Sequence, residues 1–277
     1  MPFAVIRGYD NRYALSDLWG QAFGDDAQFV ADMYDCGYLN SSDIFALTQD
    51  GRLIAALFLP EYRIRVNDKD LPIRLLSCVA TDPSHQGRGH MSYLIPRALS
   101  SVHDECCGVC VIPVSEDLYK FYEKFGFETA FWISEQVFEI DGNEPQEALP
   151  FQAEDLDAHY DAYLRKYAKN GFVFKSKERF SQAVKEYLHP TQPCEFFVNS
   201  QGFAFLQKAS SEILVREWTG DATRLASELS VRYRLPVRIQ YPPRAEDKKP
   251  IGMLHSFSDS LSAFAKEHNL YLNCMYN

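Results

Sequence analysis

The chain has 277 residues, 46% of them hydrophobic and 14% aromatic, enough apolar surface for a substantial core and too much for a disordered chain. Its formal charge of -10 is uneven: residues 1–140 carry 11 Lys and Arg against 20 Asp and Glu, the remainder 17 against 18, a balance that disfavours nucleic acid and suits a cationic partner. With no apolar run near the roughly 20 residues that span a bilayer, no secretory pattern in MPFAVIRGYDNRYALS and seven scattered cysteines that read as reduced thiols, the expectation is a cytoplasmic protein with no membrane partner.

Taken in chain order, residues 12–38 place Leu15, Leu18, Trp19, Ala22 and Phe23, then Phe29, Val30, Met33 and Tyr34, at helical intervals. Two helices are predicted, parted at Gly24-Asp25-Asp26. IFALTQDGRLIAALFLP holds two strand-like runs around Asp50-Gly51, a hairpin signal. YRIRVNDKDLPIRLLSCVATDP repeats that pattern with what reads as a longer loop, and Pro83 ends it. After HQGRGH, residues Met91, Leu94, Ile95, Ala98, Leu99 and Val102 form one apolar helical stripe, with Pro96 inside it as an expected kink. GVCVIPV reads as a buried strand, EDLYKFYEKFGF as a helix stopped at Gly126, and FWISEQVFEI as a strand.

A first unit then closes near Ile140, and the turn-rich DGNEPQEALP, residues 141–150, reads as a linker. Beyond it, residues 151–277 are expected to give two helices (about 154–169 and 177–188), three strands over CEFFVNSQGFAFLQKASSEILVREW, a helix at DATRLASELSVRY, a strand at PVRIQY, a helix at SDSLSAFAKEHN and a final strand LYLNCMYN. The order of elements repeats that of residues 1–140, which suggests a diverged duplication with little residue identity.

VATDPSHQGRGHM carries the chemistry. A strand that runs into a tight glycine loop opening a helix aims backbone N–H groups and a positive helix end at one point. Gly87 and Gly89 allow close approach and positive φ, and Arg88 adds a cation. A pyrophosphate matches in size and charge. The loop is not a nucleotide-binding Walker loop, since no Gly-Lys-Ser/Thr follows, and with Ser92 in the last place it is not the dinucleotide G-x-G-x-x-G either. His85 and His90 flank the loop, and Cys107 and Cys110 form a lone C-x-x-C, but neither spacing suits zinc. No metal is expected.

With VIPVSEDLYKFYEKFGFE at 111–128, this segment resembles the GNAT superfamily of acetyl-CoA-dependent N-acetyltransferases. Gln86 and Gly89 match that family's pyrophosphate signature, whereas Met91 stands where Gly or Ala is usual. Tyr-Glu-Lys-Phe-Gly-Phe at 122–127 matches the second part of the pattern without departure. The resemblance implies an α/β (α+β) fold of two GNAT-like domains, each a mixed, mostly antiparallel sheet flanked by helices. Residues 1–140 would bind acetyl-CoA and residues 151–277 would be degenerate, since TGDATRLA lacks the signature.

It further implies that Val79, Ala80 and Thr81 pair through their backbone with the pantetheine arm, that Gln86, Gly87, Arg88, Gly89, His90, Met91 and Ser92 hold the pyrophosphate, and that Ser115 lies near the coenzyme. Tyr122 occupies the acid position for direct attack of a primary amine on the thioester, the acceptor being a small cationic molecule or a lysine. Tyr119 reads as packing or a coenzyme contact. For a base, Asp25, Asp26 and Glu61 are candidates by analogy only, and each reads first as a cap, loop or surface carboxylate.

The layout is similar to the tandem enhanced intracellular survival group. That group's third, sterol-carrier-like domain, whose terminal carboxylate serves as base, has no counterpart within the 277 residues. Whether the Asn277 carboxylate takes that part is left open, as is self-association into a homo-oligomer. The competing classes are a non-catalytic acyl-CoA-binding sensor or assembly module and a nucleotide-binding protein.

Overall fold

The computed structural model describes residues 3–24, 26–35, 37, 39, 40, 43–140, 152, 155–189 and 194–273. The linker 141–150, Asp25, Asn277 and the last four residues of the expected final strand lie outside them.

Strand β1 (Phe3–Arg7) leads into helices α1 (Arg12–Phe23) and α2 (Ala27–Asp35). Asn11 caps α1 by accepting the Ala14 amide, and Gly24 ends it in the left-handed region. The hairpin of β2 (Ile44–Gln49) and β3 (Arg52–Phe58) turns at Asp50-Gly51, both with positive φ, as the sequence suggests. The next hairpin, β4 (Glu61–Val66) and β5 (Lys69–Thr81), is just as tight: Asn67 and Asp68 both adopt positive φ, so the longer loop expected there is a two-residue turn. Helix α3 (His90–Val102) runs on through the exposed Pro96, and Arg97 donates to the Tyr93 carbonyl. Strand β6 (Gly108–Val111), helix α4 (Glu116–Glu123) and strand β7 (Glu128–Phe138) follow.

The remainder contributes α5 (Leu156–Tyr167), the short β8 (Val173–Phe174), α6 (Lys177–Tyr187), β9 (Cys194–Asn199), β10 (Gly202–Lys208), β11 (Ile213–Trp218), α7 (Ala222–Tyr233), β12 (Val237–Tyr241), β13 (Lys249–Ser256) and α8 (Asp259–Glu267). Two departures from expectation stand out here. KPIGMLHS forms β13, a strand the sequence pattern does not announce. The expected final strand is reduced, among the described residues, to single bridges at Leu270 and Tyr271.

The described strands form one mixed α/β sheet, ordered β1-β2-β3-β5-β6-β13-β7-β12-β11-β10-β9, with β4 and β8 branching off at β5. The sheet itself therefore draws no boundary between residues 1–140 and 151–277. Strands cross over between the two stretches instead. β13 inserts between β6 and β7, while β7 pairs over Glu128–Ile133 with β13 and over Ser134–Phe138 with β12. Gly252 is required at this insertion, because a Cβ there would lie 2.9 Å from the Val111 carbonyl oxygen.

Buried charges stitch the same region. Lys175 and Glu217, 2–3% exposed, pair at 2.5 Å, and Tyr163 donates to Glu217 at 3.2 Å. Asp43 accepts from Arg74 on β5 at 2.9 Å and from Arg179 on α6 at 3.1 Å. Such pairs add orientation more than net stability.

Candidate active site

Strands β5 and β6 run parallel, but their pairing covers only Arg74–Leu76 against Val109–Val111. Beyond it β5 continues to Thr81 along β3, with Ala80 opposite Ala56 and Thr81 opposite Ala55. The two strands part, and beyond Leu76 no strand pairs with β5 on its β6 side among the described residues. Cys78 bulges out of the β3 register with φ +49°, and the Trp19 indole donates to its carbonyl at 3.3 Å. A non-glycine residue in the left-handed region carries a cost of about 1–2 kcal/mol, offset here by that bond and by packing of Cys78 against the cluster of Trp19, Tyr34 and Phe58.

The strand then enters a 3-10 turn at Pro83–His85. Asp82 caps it, accepting from the Ser84 amide at 2.8 Å and from Arg52 at 2.8 Å. These contacts, the Ser84 hydroxyl first among them, hold the Asp82 carboxyl far below the usual range. Gln86 donates back to the Thr81 carbonyl at 3.2 Å and Arg88 to the Ser84 carbonyl at 2.9 Å, so both side chains tie the loop together.

Gly87 and Gly89 have φ of +72° and +78°, and a Cβ at either would meet nothing within 4 Å. Glycine is needed there for the backbone turn, and open space lies in front of it. Gly89 is the residue before α3, and no side chain caps that helix, as none caps α5, whereas Asn11, Ser115, Ser176, Asp221 and Ser258 cap α1, α4, α6, α7 and α8. The first N–H groups of α3 are thereby left to an outside acceptor, and an anionic phosphate supplies one.

His90 is buried, its ring against Phe3 and His85, and burial lowers its pKa. Met91 is half-buried against the core and Ser92 is exposed, so Met91 points its bulk inward, away from the loop's open side.

After β6, Ser115 caps α4 by accepting the Leu118 amide at 3.3 Å. Tyr122, 4% exposed, shares a buried cluster with Leu76 and Val111, the last paired residues before the strands part. Its ring lies edge-on to Phe121 and Phe127, and burial pushes its phenol up to about 12. Tyr119 is half-buried in the same cluster.

Of the base candidates, Asp25 lies outside the described residues. Asp26 caps the start of α2 through the Gln28 amide at 2.6 Å, and Glu61 is exposed at the beginning of β4. Among the described residues no group of three or more His, Cys, Asp or Glu could hold a metal. Cys107 is driven up to about 12 by burial, which leaves it a poor nucleophile. The bulge at Cys78 and its Trp19 anchor are the site features that sequence reasoning missed. Cys78 gives no cue, since the left-handed region is signalled by Gly or Asn, and Trp19 reads only as a buried helix position.

An acetyltransferase (GNAT) domain model matches residues 11–130. Residues 11–130 are homologous to the GNAT acetyltransferases. The matched stretch contains the parting of β5 and β6, the glycine loop and Tyr122. Among curated proteins, none matches the chain.

Solved structures share the GNAT-like fold over most of the chain at low identity. An Enterococcus faecalis V583 protein described as a probable N-acyltransferase is 14% identical, with 93% of this chain and 73% of that one covered and a TM-score of 0.68. Eis1 from Mycobacterium abscessus is 12% identical, with 95% and 76% covered and a TM-score of 0.63. A GCN5-related N-acetyltransferase from Sphaerobacter thermophilus is 13% identical, with 99% and 98% covered and a TM-score of 0.51. Likeness at these identities is one of fold.

Proposed function

We propose that the protein is an acetyl-CoA-dependent N-acetyltransferase acting on a primary amine of a small cationic acceptor or a lysine. Homology over residues 11–130 supports acetyl transfer from acetyl-CoA at the level of the family. The observation that supports the reading is the joint presence of three features: the parted strands β5 and β6, the open Gly87–Gly89 loop before an uncapped α3, and Tyr122 in the buried cluster that holds Leu76 and Val111.

The loop and the first turn of α3 would hold the pyrophosphate, from Gln86 to Ser92, and the edge of Val79, Ala80 and Thr81 would take the pantetheine arm as an added strand. Ser115 would flank it. The donor supplies a thioester, whose carbonyl carbon an uncharged amine attacks directly. Tyr122 stays protonated because burial holds its phenol near 12. A thiol titrates near about 8.5, so full proton transfer from Tyr122 to the departing sulfur is uphill. Tyr122 acts instead as a hydrogen-bond donor to the charge that develops there, and the proton shed by the amine is the net source.

The excess acid of residues 1–140 favours a cationic acceptor. We further propose that residues 1–140 and 151–277 are two GNAT-like units, the second degenerate. In support, β11 and β12 are again a parallel pair joined for only three residues. There, however, the Trp218 indole donates to the Gln240 carbonyl at 3.1 Å across the gap, which closes the space that is open in the first unit.

Incubation with acetyl-CoA and a panel of diamines, aminoglycosides and lysine peptides tests the reading by mass spectrometry of the amines. Acetylated product is expected. Coenzyme binding without product from any amine would instead favour an acyl-CoA sensor, and stabilisation by ATP but not by coenzyme A a nucleotide-binding protein.

A further inference from the structure

At the carboxyl end of β11 the chain turns through Thr219-Gly220 into α7, and a cavity of about 330 Å³ opens there. Its walls come from three places: Arg165 and Lys166 at the end of α5, the Gln201-Gly202 turn between β9 and β10, and Thr219-Gly220. This is the place in the chain's second stretch that matches the glycine loop of the first, but it is built differently. Asp221 already caps α7 through the Arg224 amide at 2.8 Å, so the backbone of that helix is not what recognises a ligand.

Side chains replace it. Lys166 is half-buried over the Trp218 ring, and neither it nor Arg165 forms an ion pair among the described residues. The nearest acidic groups on the flanking elements are otherwise placed: Asp161 lies exposed one turn earlier on α5, and Asp221 is committed to its cap. Burial alone pulls the Lys166 amine down to about 6, which is what a desolvated lysine with no countercharge does. Thr219 accepts the Phe203 amide at 3.0 Å through its hydroxyl, so its proton is free to be donated. Two basic side chains and a hydroxyl on the wall of one cavity, with no carboxylate paired to either base among the described residues, suit an anion.

We propose that this cavity binds a small dianionic oxyanion, a phosphoryl- or sulfate-type group, held between Arg165, Lys166 and the Thr219 hydroxyl. Binding brings Lys166 its missing countercharge and draws a proton onto its amine. The Gly87–Gly89 loop takes no part, and the site is independent of acetyl transfer.

Pyridoxal, which carries no phosphate, is the probe, because its aldehyde condenses with an uncharged lysine amine, releasing water, and an oxyanion in the cavity, by drawing a proton onto Lys166, blocks that step. The imine is trapped with borohydride and located by peptide mass mapping. Lys166 is expected to label about tenfold faster than the exposed Lys120 and Lys177, and millimolar sulfate should protect Lys166 alone. Arg165 is exposed, so Arg165→Ala should fold normally and weaken that protection by about tenfold, the loss of one charge-assisted contact. Labelling of Lys166 no faster than Lys120, or fast labelling that sulfate does not slow, would overturn the proposal.

Discussion

Tyr122 is set by its surroundings more than by its type. A phenol on an amphipathic helix reads first as core, and Tyr122 is core: 4% exposed, wedged between Phe121 and Phe127. In the proposed function its part rests on the parting of β5 and β6 beyond Leu76 and Val111, which belong to the same buried cluster. Its raised pKa places phenol ionisation above the working range, so the rate should rise with pH as the acceptor amine deprotonates and show no fall from Tyr122 up to about pH 10; a pH profile of kcat/KM checks this. Gly89 makes a separate demand. With φ +78° and open space around it, Gly89→Ala is expected to cost about 1–2 kcal/mol through strain alone and to weaken coenzyme A binding by about tenfold in a titration. The positive φ of Gly87 and Gly89 was legible because turn chemistry marks it, whereas the part proposed for Tyr122 comes from the motif resemblance. Cys78 at φ +49° was not legible, since its conformation is imposed by the sheet register and the Trp19 bond.

At the scale of elements, local periodicity exposed every described helix, and most strands with their hairpins. β13 escaped because KPIGMLHS contains Pro250 and Gly252, which punctuate a strand pattern. In the fold those residues sit where the pairing of β13 with β7 slips, and Gly252 lets the β6 backbone come close. β1 also went unread, as a five-residue edge strand with a mostly exposed pattern. Contacts between elements are the part no local pattern contains. The Lys175–Glu217 pair joins the start of α6 to β11 within a buried aromatic cluster, and desolvation raises the Glu217 pKa even with Lys175 beside it. Lys175→Met should leave that carboxylate unpaired and cost about 3–5 kcal/mol, while Lys175→Met with Glu217→Leu should recover most of the loss. Urea unfolding of the two variants measures the difference.

For the whole molecule, the exchange of β7 and β13 means that each stretch completes the other's part of the sheet. Residues 1–140 alone would leave β6 with a bare edge and β7 with neither of its strand partners, β12 and β13. They are expected to aggregate when produced alone and to fold when co-expressed with residues 151–277, as solubility and circular dichroism would show. The repeated element order suggested two units side by side; that their strands interleave is a matter of long-range pairing, which periodicity does not encode. Protonation should also act globally. Burial lowers the pKa of His90, His159 and His255, so near pH 6 the unfolded chain binds protons that the folded one refuses. Stability is therefore full above about pH 7 and lost as pH falls toward 5, read as a falling Tm. The most direct test of the proposed chemistry is the turnover of Tyr122→Phe with saturating acetyl-CoA and an accepted amine. A drop of about 10²-fold in kcat with coenzyme affinity unchanged is expected, and turnover equal to that of the unaltered protein would contradict it.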